Sequence, residues 1–329
     1  SDRRCDTVRC TCMHMASPPD DAALTSHTEA GLQELVNRLS HACKEFGLTI
    51  SLKKTNILAQ GTDKTPFIFI DSTQLEVVET FTYLGSTIAS SLSLDTEISS
   101  RIGKAAAVMA KLNKRVWNNN SLTINTKVRV YQACVLGTLL YGSESWTTYT
   151  GQERRLNSFH LRCLRRLLQI KWQDRVPNTE VLQRTGIPSM FALLSRKRLR
   201  WLGHVRRMDD GRIPKDLLYG ELWEGSRPAG RPRLRYRDSC RRDMKAAEIN
   251  HNTWEDLAED RQAWKASVSR GVSRAETTRS DQLLKKRAER KERASSERAP
   301  TLFRCSNCSR DCHSRVGLHS HSRRCQPRT

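Results

Sequence analysis

The sequence is short of acidic residues and contains no long apolar run. Its 35 Asp and Glu residues stand against 57 Lys and Arg residues. No apolar stretch approaches the roughly 20 residues needed to cross a bilayer, and no charged-then-apolar leader opens the chain. We therefore expect neither a membrane protein nor a secreted one. The chain begins at Ser1, so we expect a fragment or a truncated copy of a longer product.

The cysteines also lack the even, regular spacing of a secreted disulfide framework. There are 11 of them, an odd number, and four fall between residues 305 and 325. This distribution is typical of a reducing compartment and of one local metal site. It favours a nuclear or nucleocytoplasmic protein over a secreted one.

Positive charge is the strongest feature of the composition. The net charge is +22 and the isoelectric point is near 10.0, which exceeds what solubility requires. Between Arg154 and Lys245, about 24 basic residues stand against about nine acidic ones. A field of this size favours a polyanionic partner, and nucleic acid is the first candidate, well ahead of a membrane surface.

The apolar periodicity changes near Asp95. Residues 28–46 have helical spacing, and Gly47 supplies a stop signal. Alternation predicts a strand in "LTISLKKTNILAQG", and "FIFIDSTQLEVVETFTYLGSTI" predicts two or three strands with turns at "DST" and "LGS". After Asp95 the pattern is helical up to about residue 270, with Ala106 on the predicted inner face. The sequence therefore predicts an α+β chain.

The tail "FRCSNCSRDCHSRVGLHSHSRRC" has the spacing of a zinc site. Cys305 and Cys308 are separated by two residues, and His321 and Cys325 are separated by three. The first spacing suits a tight turn, and the second places both side chains on one helix face, so that four ligands can surround a tetrahedral Zn²⁺. The segment resembles the ββα finger of the C2H2 family, with Cys325 in place of the last histidine.

Two alternatives to this finger stay open, a disordered Cys-rich tail and another choice of ligands. The other candidate ligands are Cys312, His313 and His319. The positions that read bases in the family correspond here to residues with short side chains, which predicts weak base selection. We expect a clamp on phosphates, through Arg315, Arg323 and Arg324, or a contact for another protein. The base-reading positions are Ser314, Gly317 and Ser320.

The basic region predicts a phosphate-binding surface. In "LSRKRLRWLGHVRRM" an apolar stripe, Leu199, Leu202, Val205 and Met208, predicts the inner face of a helix. The loop "RPAGRPRLRYRD" carries arginines at nearly alternate positions, and their guanidinium groups can bind phosphates in pairs. Tryptophans in this region are predicted mainly to be core residues. The candidate phosphate ligands are Arg196, Arg198, Arg206, Arg207, Arg231, Arg233 and Arg235.

Several segments, in this order, resemble the C-terminal part of a non-LTR retrotransposon endonuclease–reverse transcriptase. They are "DDAAL", "FGLTISLKKTNIL", "FTYLGSTI", "LLYGSESWT", "LRRLLQIKWQDRVPNTEVL", "LRWLGHVRRM", "GRPRLRYRD" and "WEDLAEDRQAW". The resemblance implies a small palm-like α+β unit, a mainly helical thumb and C-terminal domain, and a terminal ββα zinc finger. It implies unassigned coil at 1–17, a palm remnant at 18–95, a helical thumb and basic domain at 96–270, a charged linker or exposed helix at 271–300, and a C2HC finger at 301–329.

The resemblance also implies roles for individual residues. Asp20 and Asp21 match the catalytic acidic turn of the palm. Lys53 and Lys54 match a segment near the incoming nucleotide. A hairpin matches the region that positions the primer end, through Phe81, Tyr83, Leu84 and Gly85.

The sequence departs from the family at the catalytic turn. Two prolines precede Asp20, and we expect them to prevent normal hairpin pairing. No upstream strand supplies the second aspartate that two-metal catalysis requires. We therefore expect a nucleic-acid-binding remnant that does not polymerise DNA on its own, with RNA, single-stranded DNA or hybrid duplex as partner. Mg²⁺ would bind only if missing sequence completes the centre.

Two alternative functions stay open. The chain could be the end of an active RNA-directed DNA polymerase whose other half lies upstream. It could instead be a scaffold whose zinc finger binds protein. The sequence makes no prediction of the oligomeric state.

Overall fold

The computed structural model describes residues 9–14, 21–61, 64–220, 230, 233–295, 303–323 and 325. The chain divides into two compact units, Ser1–Glu276 and Thr277–Thr329. Within the described residues, no helix combines the length and apolarity that crossing a membrane requires. The domain boundaries expected from the resemblance stay predictions.

The described strands form one four-stranded sheet and three two-stranded ladders. The sheet has the order β2-β1-β3-β6, in which β1 is antiparallel to β2 and β3, and β3 is parallel to β6. The ladders are β4–β5, β7–β8 and β9–β10, all antiparallel. The strands are β1 (Arg9–His14), β2 (Asp21–Ser26), β3 (Asn56–Leu58), β4 (Phe69–Ile70), β5 (Thr73–Gln74), β6 (Glu76–Val77), β7 (Thr80–Tyr83), β8 (Ser86–Ala89), β9 (Phe303–Arg304) and β10 (Asp311–Cys312).

Strand β1 corrects the prediction of coil at residues 1–17. Arg9–His14 pairs with β2 along its whole length, ending with His14 opposite Asp21. The expectation that adjacent prolines prevent this pairing is therefore wrong. Both prolines fall between the strands in the sequence and outside the described residues. The ladder takes its N–H donors from the flanking segments, so it loses none to proline.

Helix α1 (Glu29–Glu45) confirms the helix predicted for residues 28–46. The side chain of Thr28 caps its start, where Oγ1 accepts the Gly31 N–H at 3.1 Å. Gly47 follows its end with φ of 67°, a conformation that favours glycine. Leu32 is fully buried in the core that α1 forms with the neighbouring strands.

The strand predicted at the start of "LTISLKKTNILAQG" is wrong at Leu52–Lys54, which forms a 3-10 turn. Thr55 closes this turn, because both its N–H and its hydroxyl donate to the Ser51 carbonyl, at 3.1 and 2.9 Å. Local hydrogen bonds of this kind compete with strand pairing. The strand, β3, begins at Asn56 instead. Further along, the predicted turns at "DST" and "LGS" are confirmed.

The chain is helical from Asp95, as predicted. Two π-helical segments, Asn113–Trp117 and Tyr131–Leu136, interrupt the regular helices. The helices are α2 (Asp95–Lys111), α3 (Ile124–Val130), α4 (Gly137–Leu139), α5 (Thr150–Leu167), α6 (Asn178–Thr185), α7 (Met190–Arg206), α8 (Ile213–Tyr219), α9 (Tyr236–Ala246), α10 (Trp254–Glu259), α11 (Arg261–Ser295) and α12 (Arg315–Ser322).

Two apolar cores hold the helices of the first unit. Helices α2 to α6 share one core, in which the fully buried Trp117 donates from Nε1 to the Met109 carbonyl at 2.8 Å. Ala105 lies in this core and Ala106 is exposed, which corrects the predicted inner face of α2. Ala105 stands seven residues after Ile98 and four before Met109, so it continues their face.

Helix α7 packs its predicted inner stripe into the second core, together with α9, α10 and α11. Leu199, Leu202 and Val205 are buried there, and Met208 is partly buried. In the second unit, β9, β10 and α12 form a ββα arrangement. The α+β class is therefore confirmed, with short strands first, helices next, and a small ββα unit at the C-terminal end.

Candidate nucleic-acid interface and metal centre

The structure describes one member of the acidic pair predicted from the resemblance. Asp21 is the first residue of β2, and Asp20 lies outside the described residues. Their catalytic role stays a prediction. Lys53 and Lys54 are exposed in the 3-10 turn that precedes β3.

The turn between β7 and β8 is strained and firmly held. Leu84 and Gly85 both have positive φ, 45° and 81°, and leucine takes this conformation only at a cost. The Leu84 carbonyl accepts from the Tyr141 hydroxyl at 3.0 Å. The Gly85 carbonyl accepts from Arg101 Nη2 at 2.5 Å. Helix α2 and the segment after α4 therefore fix this turn.

The side chains around this turn differ in exposure. Phe81 is buried, Tyr83 is half-buried and Leu84 is 60% exposed. Buried Glu97 joins the hairpin to α2, since it accepts the Thr87 N–H at 2.7 Å and pairs with Arg101 at 2.7 Å. The predicted role in positioning a primer stays a prediction for this rigid, partly exposed turn.

Arg198 corrects the predicted phosphate-binding set. Its side chain is 1% exposed and forms ion pairs with Asp243 at 2.7 Å and Glu153 at 3.2 Å. Nη1 also donates to the Thr148 hydroxyl at 2.8 Å. Burial alone would lower the pKa of Arg198, but the facing carboxylates of Asp243 and Glu153 raise it overall. Arg198 is therefore a structural cation in the core.

The other predicted arginines of α7 are only partly available for a ligand. Arg206 forms ion pairs with Glu255 and Glu259, at 3.5 and 2.9 Å. Arg207 donates to the Ala258 carbonyl. Arg196 is half-buried, and its Nε has no hydrogen-bond partner among the described residues.

Beyond helix α8, the predicted basic loop is described only in part. Arg233 and Arg235 are exposed, and Arg231 lies outside the described residues. Arg235 precedes α9, and its N–H donates to Asp238 at 3.0 Å. Arg235 is exposed at the start of α9, and its role in phosphate binding stays a prediction.

A cationic groove that the sequence did not predict lies between α7 and α11. It has a volume of about 750 Å³, and we call it the α7–α11 groove. Trp201 and Trp264 line it, and Glu144 is the single acid among the described residues that line it. Its cations are Lys197, Arg200, Arg207, Arg261 and Lys265, with His204 beside them.

The helical spacing of basic residues in the sequence of α7 indicates one wall of this groove. Lys197, Arg200, His204 and Arg207 recur at intervals of three or four residues, on the side of α7 opposite its buried stripe. Arg198 stands four residues before Leu202, which is the spacing of the buried face. Helical position therefore separates the basic residues that line the groove from Arg198, which lies on the buried face.

The tryptophans divide between core and surface. Four tryptophans outside the basic region, Trp117, Trp146, Trp254 and Trp264, are buried. Within the basic region, where the sequence predicts core positions, Trp201 is only half-buried. Trp172 departs from that prediction, since it is 86% exposed in the 3-10 turn Trp172–Asp174. Trp223 lies outside the described residues.

The terminal ββα arrangement brings together the predicted zinc ligands. The donor atoms of Cys305, Cys308, His321 and Cys325 all lie within 4.8 Å of one another. Cys305 Sγ lies 3.9 Å from Cys325 Sγ, close to the roughly 3.8 Å that tetrahedral Zn–S bonds would give. Cys308 Sγ lies 3.1 Å from His321 Nε2. The alternative ligand Cys312 is buried outside this cluster.

The ionisation of the cysteines also suits a metal. Hydrogen bonds from the backbone N–H groups of Asn307 and Cys308 lower the pKa of Cys305 to about 6. The hydrogen bond with Cys308, burial and the nearby Cys305 raise the pKa of Cys325 to about 11. A divalent cation bound among these sulfurs would lower the pKa of Cys325, because metal binding deprotonates thiols. The cluster can therefore hold zinc with four protein ligands, which leaves no position for a catalytic water.

The finger helix makes contacts within the finger itself, and its weak base selection stays a prediction. Ser314 caps α12, where its Oγ accepts the Gly317 N–H at 3.0 Å. Arg315 lies over the Phe303 ring at 5.8 Å from its centre. Of the other predicted phosphate contacts, Arg323 is exposed and Arg324 lies outside the described residues.

Comparison with known proteins points to mobile DNA. No protein-family model matches the chain, and no solved structure matches it. The chain is 29% identical over 269 residues to the transposon-derived protein F52C9.6 of Caenorhabditis elegans. The match covers 77% of this chain and 94% of the relative. This similarity supports a transposon origin.

Proposed function

We propose that the chain is a nucleic-acid-binding C-terminal part of a non-LTR retrotransposon reverse transcriptase. In this proposal the basic helical region and the zinc finger bind template or primer RNA or DNA. The ordered reverse-transcriptase-like segments and the transposon-derived relative support it. The observation that carries it is the net charge of +22, of which five cations line one groove. We further propose a nuclear or nucleocytoplasmic location, where such ligands occur.

Binding of this kind is driven mainly by release of counterions from the phosphate backbone. If six cations contact duplex phosphates, log K should fall against log salt with a slope of about −5. Sequence preference should be weak, because the positions that would face bases on α12 carry short side chains. Fluorescence anisotropy across a salt series, with labelled RNA, single-stranded DNA and RNA–DNA hybrid, measures both quantities.

Charge reversal tests the predicted loop directly. Arg231→Glu, Arg233→Glu and Arg235→Glu together should weaken binding and flatten the salt slope. A matched control reverses Lys111, Lys114 and Arg115, which are exposed at the end of α2 and in the segment that follows it. Weak binding of the unmodified chain at low salt would contradict the proposed function. If the loop variant and the control lost the same affinity, binding would depend on the total charge of the chain and not on the loop.

A polymerase is the second candidate function. The pairing of β1 with β2 favours it, because a strand hairpin leads into the acidic pair as in the family motif. Two-metal catalysis nevertheless requires a second carboxylate from another strand. We expect no primer extension by this chain with Mg²⁺. Metal-dependent extension that Asp20→Ala abolishes would establish the enzyme instead.

A further inference from the structure

A close contact between α7 and α11 holds the walls of the α7–α11 groove together. Trp264 of α11 donates from Nε1 to the Leu199 carbonyl of α7 at 2.9 Å. Gly203 faces the same indole so closely that a side chain there would overlap it. The two helices thus meet with their backbones near one another. A site on this framework needs little ordering when a ligand binds.

The basic side chains of the groove differ in whether they already form hydrogen bonds or ion pairs within the protein. Lys197 is held by the Leu140 carbonyl at 2.9 Å and pairs with Glu144 at 3.3 Å. Arg200, Arg261 and Lys265 are exposed and have no acidic partner among the described residues. Like charges gathered without counter-charges repel one another, and a polyanion would relieve that repulsion.

Aromatic surface adjoins these cations. Trp201 is half-buried on α7 and lines the groove. Its ring lies 5.2 Å from that of His204, which is exposed one turn later. Aromatic faces beside a cationic channel are the arrangement that proteins use for unpaired bases, because bases within a duplex already stack on each other.

We propose that the α7–α11 groove binds a single-stranded segment of RNA or DNA. Arg200, Arg261 and Lys265 contact successive phosphates, and an unpaired base stacks on Trp201. This inference rests on the proposed function and assigns it to a particular surface and a particular strand state. The finger and the loop near Arg235 then provide additional contacts outside the groove.

The first test neutralises the groove. A triple variant, Arg200→Gln, Arg261→Gln and Lys265→Gln, should lower single-strand affinity about tenfold or more. It should also reduce the salt slope by about 2, since each single-strand phosphate contact contributes about 0.7. The matched control is Lys111→Gln, Lys114→Gln and Arg115→Gln, which removes the same charge elsewhere. Urea unfolding of both variants shows whether either has lost the fold.

The second test concerns the base. Photocrosslinking of the full chain to an oligonucleotide with 5-iodouracil, followed by mass spectrometry, should label the peptide that contains Trp201 and His204. Trp201→Leu keeps an apolar side chain in the core and should remove this crosslink. The single strand should bind more tightly than the duplex of the same sequence, and the groove variant should abolish that preference.

The outcomes separate the two proposals. If the unmodified chain binds no nucleic acid at low salt, the proposed function fails and the groove assignment fails with it. If the chain binds but the groove variant behaves as the control does, only the groove assignment fails. Crosslinks confined to other peptides, or a preference for duplex that the groove variant retains, would also overturn it.

Discussion

Gly203 of α7 lies against the indole of Trp264 on α11, with no room for a side chain between them. The same indole donates to the Leu199 carbonyl at 2.9 Å, one turn earlier on α7. This contact joins the second core to the floor of the α7–α11 groove. Packing and the proposed ligand site therefore depend on one close helix approach.

Gly203→Ala should destabilise the first unit. The added methyl group would overlap Trp264, and the buried indole can move only by giving up its hydrogen bond. Overpacking of this kind costs about 1–3 kcal/mol. Urea unfolding followed by circular dichroism measures the change.

Gly103→Ala is the matched control, since nothing lies within 4 Å of a side chain placed at this glycine of α2. There the same substitution should stabilise the helix by roughly 0.5–1 kcal/mol. We therefore expect the free energy of unfolding to decrease in Gly203→Ala and to increase in Gly103→Ala. A neutral or stabilising Gly203→Ala would show that α7 and α11 are not packed as described.

Arg198→Ala should be among the most destabilising substitutions in the chain. It would leave the buried carboxylates of Asp243 and Glu153 with the partly exposed Arg242 as their remaining cation, at 3.6 and 2.7 Å. Removing one partner of a buried ion pair costs about 3–5 kcal/mol. The neighbouring Arg200→Ala, at an exposed position, should change the free energy of unfolding by less than about 0.5 kcal/mol. Similar losses for both variants would contradict the burial of Arg198.

Arg198 also shows how far sequence reasoning reaches. The apolar period of "LSRKRLRWLGHVRRM" predicts helix α7 and its inner stripe correctly, because burial selects apolar residues at helical spacing. The same period places Arg198 beside Leu202, but an arginine is assumed to be exposed. Its burial depends on Glu153 and Asp243, which come from α5 and α9. Partners so distant in sequence cannot be found from local spacing.

The hairpin and the groove were missed for the same reason. Strand β1 pairs with β3, which is far away in the sequence, and with β2 across the segment that holds the two prolines, so local periodicity does not reveal it. The groove requires Arg261 and Lys265 of α11 to face α7, which depends on the fit of Gly203 to Trp264. The zinc cluster could be predicted, because its ligand spacing is itself local geometry.

Acid should weaken the first core through His160. This side chain is fully buried, and its Nε2 lies 3.2 Å from the Pro188 carbonyl, an acceptor, so Nε2 carries the proton. Nδ1 then accepts from the Tyr131 hydroxyl at 2.8 Å. Burial lowers the pKa of His160 to about 4.

The sign of the pH effect follows from this shift. In the unfolded chain the pKa of a histidine is about 6.5, so the unfolded state takes up a proton first as pH falls. The stabilisation from neutral His160 is complete above about pH 6.5 and is lost as pH falls towards about 4. The loss amounts to roughly 3 kcal/mol. Urea unfolding at several pH values measures it.

His160→Gln should flatten this part of the pH profile while lowering stability at neutral pH. The exposed His251→Gln is the control and should leave the profile as it is in the unmodified chain. A profile of His160→Gln that keeps the full loss between pH 6.5 and 4 would assign the acid sensitivity to other groups.

Removing zinc should unfold the terminal ββα arrangement and leave the first unit folded. A finger with so small a core depends on metal, and binding contributes about 10–16 kcal/mol near neutral pH. After chelation, hydrogen exchange should rise in residues 303–323 and stay low near Met109 and Trp117. Zinc affinity should fall steadily as pH drops, because protons compete with the metal for the thiolates, for Cys325 first and for Cys305 only near pH 6.

Two serine variants distinguish the predicted zinc ligand Cys308 from the buried core residue Cys312. Cys308→Ser removes a donor from the four-residue cluster, so bound zinc per chain should fall from about one to near zero. Cys312→Ser changes a buried cysteine outside the cluster and should leave zinc bound, with some loss of stability. If Cys312→Ser abolished zinc binding and Cys308→Ser did not, the ligand set would have to be redrawn around Cys312. Zinc analysis after gel filtration distinguishes the two, because it counts metal whether or not the finger is fully ordered.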